Sequence, residues 1–542
     1  TYIVNSNGDA ADASPGNGVC ATTGGNCTLR AAIQEANQDG TASTIHFAYR
    51  FTGTESISLL SNLPNLIESN TTIDASNQFN FSENRPGVEI SSSVADQILH
   101  ISSDNNIIRG ILFGGAPIGI RVAGDSNTIG GVSEGNRNVF LTNEYGVELY
   151  SGSYHSVISN YIGTIDGDSI NVAGSGDIGI LINYSHYNTI SDNLIVGYRG
   201  IGDTIFTPSG IVIYYSYHNQ VANNIIGMDR FKTIELGNTI GITLNHADNS
   251  DIGSTNLIAG NTSYGIHATS TENLSIYDNE IGYWHNGNVG NCSDGIHFEA
   301  MGTGTSIYNN TIRNNEGSGI WSSAWNVSIQ ENYIYSNAGH GIYLTGNSNI
   351  IGGTDEWEKN SIYGNTGNGV YLDGASSNTI SGNYINSNYY GIIIENGGSN
   401  NVIGGNTPGE INWIGNNQTD GIRLQGSITH NNAIIGNVIG IDDTWSYQVG
   451  NSHHGIAIYD GAHNNQIGTT NSGEGNIIID SGWTGVVIQD SEENIIEGNL
   501  IGTDGRGENW GNAYYGITIV DTTANAEPGN NNQIIRNKIA YN

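Results

Sequence analysis

The sequence predicts an all-β chain wound as a single-domain parallel β-helix, a solenoid, with a short capping helix near its N-terminus. Three observations carry this expectation. A Gly–apolar–x–apolar motif recurs from about residue 98 onward. A second signature, Asn-x-Ile followed shortly by another Asn-x-Ile, stands between successive copies, as in Asn188-Thr-Ile-Ser-Asp-Asn-Leu-Ile and Asn378-Thr-Ile-Ser-Gly-Asn-Tyr-Ile. One early segment alone carries a helical apolar stripe.

The first motif is found at Gly119-Ile-Arg-Val, Gly146-Val-Glu-Leu, Gly179-Ile-Leu-Ile, Gly210-Ile-Val-Ile and Gly241-Ile-Thr-Leu, and it continues to Gly516-Ile-Thr-Ile. Successive glycines lie 22 to 34 residues apart. A fixed period of that size means stacked supersecondary units. Each unit holds short segments of period two and almost nothing that reads as helix. Glycine and asparagine tolerate left-handed backbone angles, which suits the corners of a coil. Asparagines at equivalent corners can stack as a ladder of hydrogen bonds. Length alone, 542 residues, suggests three or four domains. A solenoid grows along its axis without enlarging its core, so one elongated domain fits better. Residues 1–97 are expected to form the cap and first irregular coils, and 98–542 the repeat region of the same domain.

Solenoids need closed ends. In Thr28-Leu-Arg-Ala-Ala-Ile-Gln-Glu-Ala-Asn37, Thr28 is a suitable N-cap, and Leu29, Ala32, Ile33 and Ala36 form the apolar stripe. This helix is placed over the open N-terminal end. Cys20 and Cys27 bracket a Gly-rich loop just before it; a disulfide between them suits export, and two thiols are the alternative. Cys292 reads as a small buried residue rather than a nucleophile. The stretch from Gly18 to Asn37 resembles the Cys-Ser-Leu-Arg-Glu-Ala-Ile-type cap of bacterial secreted and surface β-helix proteins. Repeats such as Asn499-Leu-Ile-Gly-Thr-Asp504 and Asn464-Asn-Gln-Ile-Gly468 resemble the same pectate-lyase-like superfamily, and together they cover nearly all of the chain. The resemblance implies a right-handed coil. It implies no single activity, because that superfamily includes glycosidases, lyases, epimerases and noncatalytic surface proteins.

Composition removes several classes. Apolar runs are too short to span a bilayer, so no membrane insertion is expected. Lys and Arg total 15 against 51 Asp and Glu, a formal charge of −36. With three lysines (Lys232, Lys359 and Lys538) nucleic acid is not an expected partner. The acidity and the opening Thr1-Tyr2-Ile3-Val4, read as a processed end, point to a secreted or cell-surface protein, and the resemblance implies a bacterial one.

In the Gly–apolar–x–apolar–x strand the two x positions are expected to face solvent, and aligned coils turn them into two columns. The middle of these columns collects His267, His297, Glu299, Trp321, Tyr343, Tyr371, Asp373, Glu395 and Arg423. Asp294 and Asp420 stand at the leading corner of the same strands, and Trp325 lies just past one of them. Rings beside carboxylates along an extended face suit a polysaccharide: sugar faces stack on the rings while acids and imidazoles bond hydroxyls and move protons. The loops Gly282–Gly290 and Gly353–Lys359 flank the region as walls. Two catalytic groupings compete, Asp294 with His297 and Glu299, and Asp373 with Glu395. His267, Trp321, Trp325, Tyr343, Tyr371, Asp420 and Arg423 are the expected substrate-binding residues.

The leading expectation is an endo-acting glycoside hydrolase using two carboxylates on a long polysaccharide, with marine and sulfated fucans or galactans included. The alternatives are a polysaccharide lyase or uronate epimerase, and a noncatalytic glycan-binding or adhesin-like surface protein. A Ca²⁺-dependent lyase needs several acidic oxygens and a base, and Arg423 is the only basic residue in the middle stretch apart from histidine. No cofactor is required. Acidic turns at Asp166, Asp168, Asp229, Asp442, Asp443 and Asp504 read as turn caps, with structural Ca²⁺ as the second reading. The sequence is silent on the oligomeric state.

Overall fold

The computed structural model describes residues 1–542 except 49–54, 170–175, 201–205, 285–287, 300–301, 506–508 and 523–530. Two compact units are present: Thr1–Leu274 with Tyr283–Val289, and Ser275–Gly282 with Gly290–Asn542. Each is a parallel β-helix.

In the second unit the chain visits three sheets in turn. Ser328–Gln330 lies in the first sheet, Tyr333–Tyr335 in the second and Ile342–Leu344 in the third, before Ile350–Gly352 returns to the first. Every one of these strands pairs in parallel with its equivalent one coil later. The first unit repeats the pattern. Its third sheet includes Gln97–Ile101, Ile118–Val122, Tyr145–Tyr150, Ile178–Asn183 and Ser209–Tyr214, all parallel and in register. The inward positions are aliphatic: Ile342, Leu344, Ile351, Ile362 and Ile334 are fully buried. A narrow coil filled by β-branched side chains from three sides needs no other core.

Asparagine ladders run up the corners. Between the first and second sheets Asn310, Asn332, Asn360, Asn383 and Asn412 form one. Each backbone N–H or side-chain Nδ2 donates to the Oδ1 of the next, at 2.9–3.3 Å. A second ladder, Asn291, Asn315, Asn337, Asn365, Asn388 and Asn417, lies between the second and third sheets. Left-handed angles fall on the residue before the ladder asparagine, such as Asn309 (φ 54), Glu331 (φ 59) and Gly382 (φ 71).

The motif glycines have a different reason from the one expected. Gly341 and Gly369 are not in left-handed conformations. A Cβ on Gly341 would lie 2.5 Å from Ile362 Cγ2 and 2.6 Å from the Gly369 carbonyl. The motif needs glycine because the coil wall passes too close for any side chain.

Leu29–Ala36 is helical, and Thr28 Oγ1 accepts from the Ala31 N–H at 3.0 Å. Its Leu29, Ala32, Ile33 and Ala36 face is buried, and the helix packs on Tyr2–Val4 and Thr44–Phe47. Cys20 and Cys27 are bonded. Cys292 is exposed, against expectation, because it lies in the turn ahead of the third-sheet strand rather than on an inward position.

Candidate functional site

In the second unit the first outward column of the third sheet is continuous. His297 stands opposite Trp321, Trp321 opposite Tyr343, Tyr343 opposite Tyr371, Tyr371 opposite Ile393 and Ile393 opposite Arg423. The rings touch. His297 stacks on Trp321 with centroids 4.2 Å apart and planes 4° apart. Tyr343 follows Trp321 at 6.0 Å, and Tyr371 follows Tyr343 at 4.8 Å. In the second column Asp373 is the direct register partner of Glu395, so their strands are separated by about 4.8 Å.

Hydrogen bonds fix the acids. Tyr343 donates its hydroxyl to Asp373 Oδ2 and Tyr371 donates to Glu395 Oε1, each at 2.5 Å. Asn396 donates to the other Asp373 oxygen at 2.7 Å. Burial first, and then the carboxylate beside it, pushes each phenol above the ordinary tyrosine range. Both therefore stay protonated donors at neutral pH.

At the start of the column, Asp294 Oδ2 lies 2.8 Å from His297 Nδ1, and Glu299 Oε1 lies 3.3 Å from Nε2. Asp294 also accepts the Ser318 N–H at 2.6 Å. Asp294 and His297 are buried, while the Glu299 side chain is 53 % exposed. A buried acid holds the imidazole, and an exposed acid stands at its outer nitrogen.

Farther along, Arg423 is enclosed. Its Nε donates to Gln425 Oε1 at 2.9 Å and its Nη1 to Tyr390 Oη at 3.1 Å and Asp420 Oδ2 at 3.4 Å. Its guanidinium lies 4.4 Å from the Tyr459 ring centroid. Asp420 is 1 % exposed and its Oδ1 accepts the His454 N–H, so it braces Arg423 from beneath. Burial and then Asp420 push the Tyr459 phenol up to about 12.

Several expected features are placed differently. The first outward column is not uniformly open: Ile393 and Val487 are buried, as are Glu148, Leu181 and Val212 in the first unit. Leu181 and Val212 pack with Ile178 under Phe206 and Tyr214, and Glu148 is covered by its ion pair with Arg121 at 2.6 Å. Pointing away from the core does not mean solvent where large neighbours fold over the position. His267 belongs to the first unit, where it stands opposite Thr243 and stacks on Tyr264. Trp325 is exposed in the turn after Ile320–Ser322. In the Gly282–Gly290 loop, Tyr283–Trp284 pairs antiparallel with Asn288–Val289 inside the first unit, and 285–287 fall outside the described residues.

Sequence reasoning passed over His340, Tyr390 and His454. Each precedes a motif glycine, as Asp294 and Asp420 do, and that position forms a third column beside the two expected ones. His340 Nδ1 accepts the Asn368 N–H at 3.0 Å, and its ring lies 5.0 Å from Tyr371. Burial holds His340 below the ordinary histidine range, opposed by Asp294. Among the acidic turns, Asp229 oxygens accept from Phe231 and Ile234 N–H groups and Asp442 Oδ1 accepts from Ser446 and Tyr447, whereas Asp168 pairs with Arg230 and Asp443 accepts the Tyr384 hydroxyl.

A family model described as "Periplasmic copper-binding protein (NosD)" matches residues 169–286 and 281–410. No curated protein matches the chain. Among solved structures, the chain is similar to the Azotobacter vinelandii mannuronan C-5 epimerase AlgE4 A-module, at 13 % identity and TM-score 0.31 over 100 % of both chains. It is similar to DFA-IIIase from Arthrobacter chlorophenolicus A6, at 14 % identity and TM-score 0.36, covering 59 % of this chain and 84 % of that one. The Dettilon tailspike protein matches at 14 % identity and TM-score 0.32 over 91 % of this chain, which spans 64 % of the tailspike's length.

Proposed function

We propose that the chain is an exported, endo-acting glycoside hydrolase that binds an uncharged polysaccharide along the third sheet of the second unit. The observation that carries this reading is the acid pair Asp373 and Glu395, set on adjacent strands beside a continuous stack of rings. Retaining glycosidases hold their two carboxyls about 5–5.5 Å apart, close to one strand spacing. One carboxyl protonates the glycosidic oxygen while the other attacks the anomeric carbon; water then releases the sugar with configuration retained. Tyr343 and Tyr371 orient the pair, and the outer edge of Trp321, whose faces lie against His297 and Tyr343, borders the path of a neighbouring sugar.

Charge supports a neutral chain over a sulfated or uronate one. Glu299, Asp373 and Glu395 line the face with Asp294 and Asp420 buried behind it, and the one arginine among them is already bonded to Asp420, Gln425 and Tyr390. A polyanion laid there meets repulsion with no spare arginine or lysine among the described residues of that face. The Cys20–Cys27 disulfide and the periplasmic description of the matched family support export. The copper in that description has no part in this reading, which routes no step through a metal. The helix Leu29–Ala36 is read as the cap of the first unit.

A screen of neutral and uronate-bearing polysaccharides, following reducing ends and the ultraviolet absorbance of unsaturated products, tests the reading. New reducing ends without that absorbance are expected. Asp373→Asn and Glu395→Gln should each lower kcat at least about a hundredfold, and Glu299→Gln should act mainly on KM. Full loss in Glu299→Gln with activity kept in the other two would move the chemistry to His297. Rising absorbance would replace hydrolysis with elimination.

A further inference from the structure

We infer that the second sheet of the second unit carries a separate, noncatalytic site for an uncharged oligosaccharide, centred on Trp357, Tyr333 and Tyr384. This face is not the one proposed for hydrolysis, and the inference stands whether or not that reading does.

The site starts from a sequence irregularity. The first residue of successive second-sheet strands reads Tyr333, Ser361, Tyr384, Trp413, in direct register. One small residue stands in a row of three aromatics, and the gap is a cavity of about 300 Å³ floored by Ser361 and walled by Tyr333, Tyr384 and Trp357. A second cavity of about 260 Å³ continues past Tyr384 to Trp413 and Asp443. Tyr384 is shared by both. From Tyr333 to Trp413 the row spans three strand spacings, about 14 Å, enough for a short oligosaccharide.

The rings are held ready. Trp357 is 69 % exposed and Tyr333 is 52 % exposed. Trp357 sits on the single turn Glu356–Glu358, fixed by a capping box in which Glu358 accepts the Thr354 and Asp355 N–H groups at 2.7 and 2.9 Å. Tyr384 donates its hydroxyl to Asp443 Oδ2 at 2.6 Å, and Lys359 Nζ lies 5.1 Å from its ring centroid. An exposed indole on a braced turn loses little freedom on binding.

Charge selects the ligand class. Glu331, Glu356, Asp442 and Asp443 border the two cavities against a single cation, Lys359, which lies 3.8 Å from Glu356. A polyanion is repelled. A purely apolar ligand would leave these carboxylates desolvated. Neutral sugars satisfy both demands: C–H faces lie on Trp357 and Tyr333, and hydroxyls donate to Glu331 and Glu356.

The test uses the full chain carrying Glu395→Gln, so that any turnover is suppressed, titrated with neutral gluco-, xylo-, manno- and galacto-hexaoses by calorimetry. Trp357 oxidation is followed by mass spectrometry. The expected result is that at least one series binds and protects Trp357 from oxidation. Trp357→Ala, and Ser361→Trp, which fills the gap without removing a ring, should each weaken that binding at least about tenfold. Trp357→Phe should retain most of it, and Trp321→Ala should leave the protection of Trp357 unchanged. No binding by any series, protection lost in Trp321→Ala, or affinity unchanged within about twofold in both Trp357→Ala and Ser361→Trp would overturn the inference.

Discussion

Single side chains in this protein are governed by what the next coil places above them. His155 shows this in the first unit, where it takes a rung in a row that otherwise reads Asn106, Asn127, Asn188 and Asn219. Its Nδ1 accepts the Asn127 N–H at 3.2 Å and its own N–H donates to Asn188 Oδ1 at 2.9 Å. Burial lowers its pKa from 6.5 to about 4, against the opposing pull of Asp125 and Asp104. The unfolded chain therefore takes up a proton that the folded chain refuses. The neutral ring's full contribution is present above pH 6.5 and is lost progressively as pH falls through about 4; the whole shift is worth about 3 kcal/mol. His155→Asn should flatten that decline. Denaturant midpoints measured from neutral pH down to about pH 4 check it, and an unchanged slope would show that other groups set the acid sensitivity.

Strands and corners depend on two residue types that substitute poorly. Asn365 Oδ1 receives the Asn337 backbone and side-chain N–H groups, and its own Nδ2 reaches Asn388 Oδ1 and the Ile334 carbonyl. Asn365→Ala leaves several buried groups unpaired and should cost about 1–3 kcal/mol. Asn537 likewise accepts two Asn499 N–H groups and donates to the Ile496 carbonyl, but it is half-buried, so the groups unpaired by Asn537→Ala reach water and the loss should be visibly smaller. Gly341→Ala forces a methyl into Ile362 and the Gly369 carbonyl and should also destabilise by about 1–3 kcal/mol. Urea midpoints at constant m-value rank the three; equal losses at Asn365 and Asn537 would contradict the ladder account. The asparagine repeat announced its ladder from sequence. The motif glycines announced their position and not their cause, because steric closeness to the next coil depends on a neighbour 22 to 34 residues away.

Across the molecule the excess of acid is the dominant electrostatic fact. With a formal charge of −36 and 15 Lys and Arg against 51 Asp and Glu, like charges repel in the folded state and relax on unfolding. Added salt screens them, with a Debye length of about 10 Å at 0.1 M. Thermal midpoints should therefore rise as NaCl is raised from low ionic strength to about 0.5 M, where screening within a few ångströms is reached. A midpoint that falls with salt would mean that ion pairs such as Arg121–Glu148 and Arg230–Asp168 outweigh the repulsion.

The sequence by itself determined the coil. Period two within strands, a glycine at the start of most third-sheet strands and asparagine at most corners are local rules that recur from coil to coil. It also determined which types of side chain point outward, so His297, Trp321, Tyr343, Tyr371, Asp373 and Glu395 could be put in order along one face. Only the tertiary structure decided which of them meet and which are covered. Tyr343 reaches past its own rung to Asp373, Asp420 is sealed beneath Arg423, and Ile393 and Val487 are buried although they point away from the core. Ser361 leaves a cavity only because tyrosines stand on either side of it. Outward direction is a property of the strand, whereas exposure and hydrogen bonding are set by side chains from other coils, and their reach is not written in the repeat.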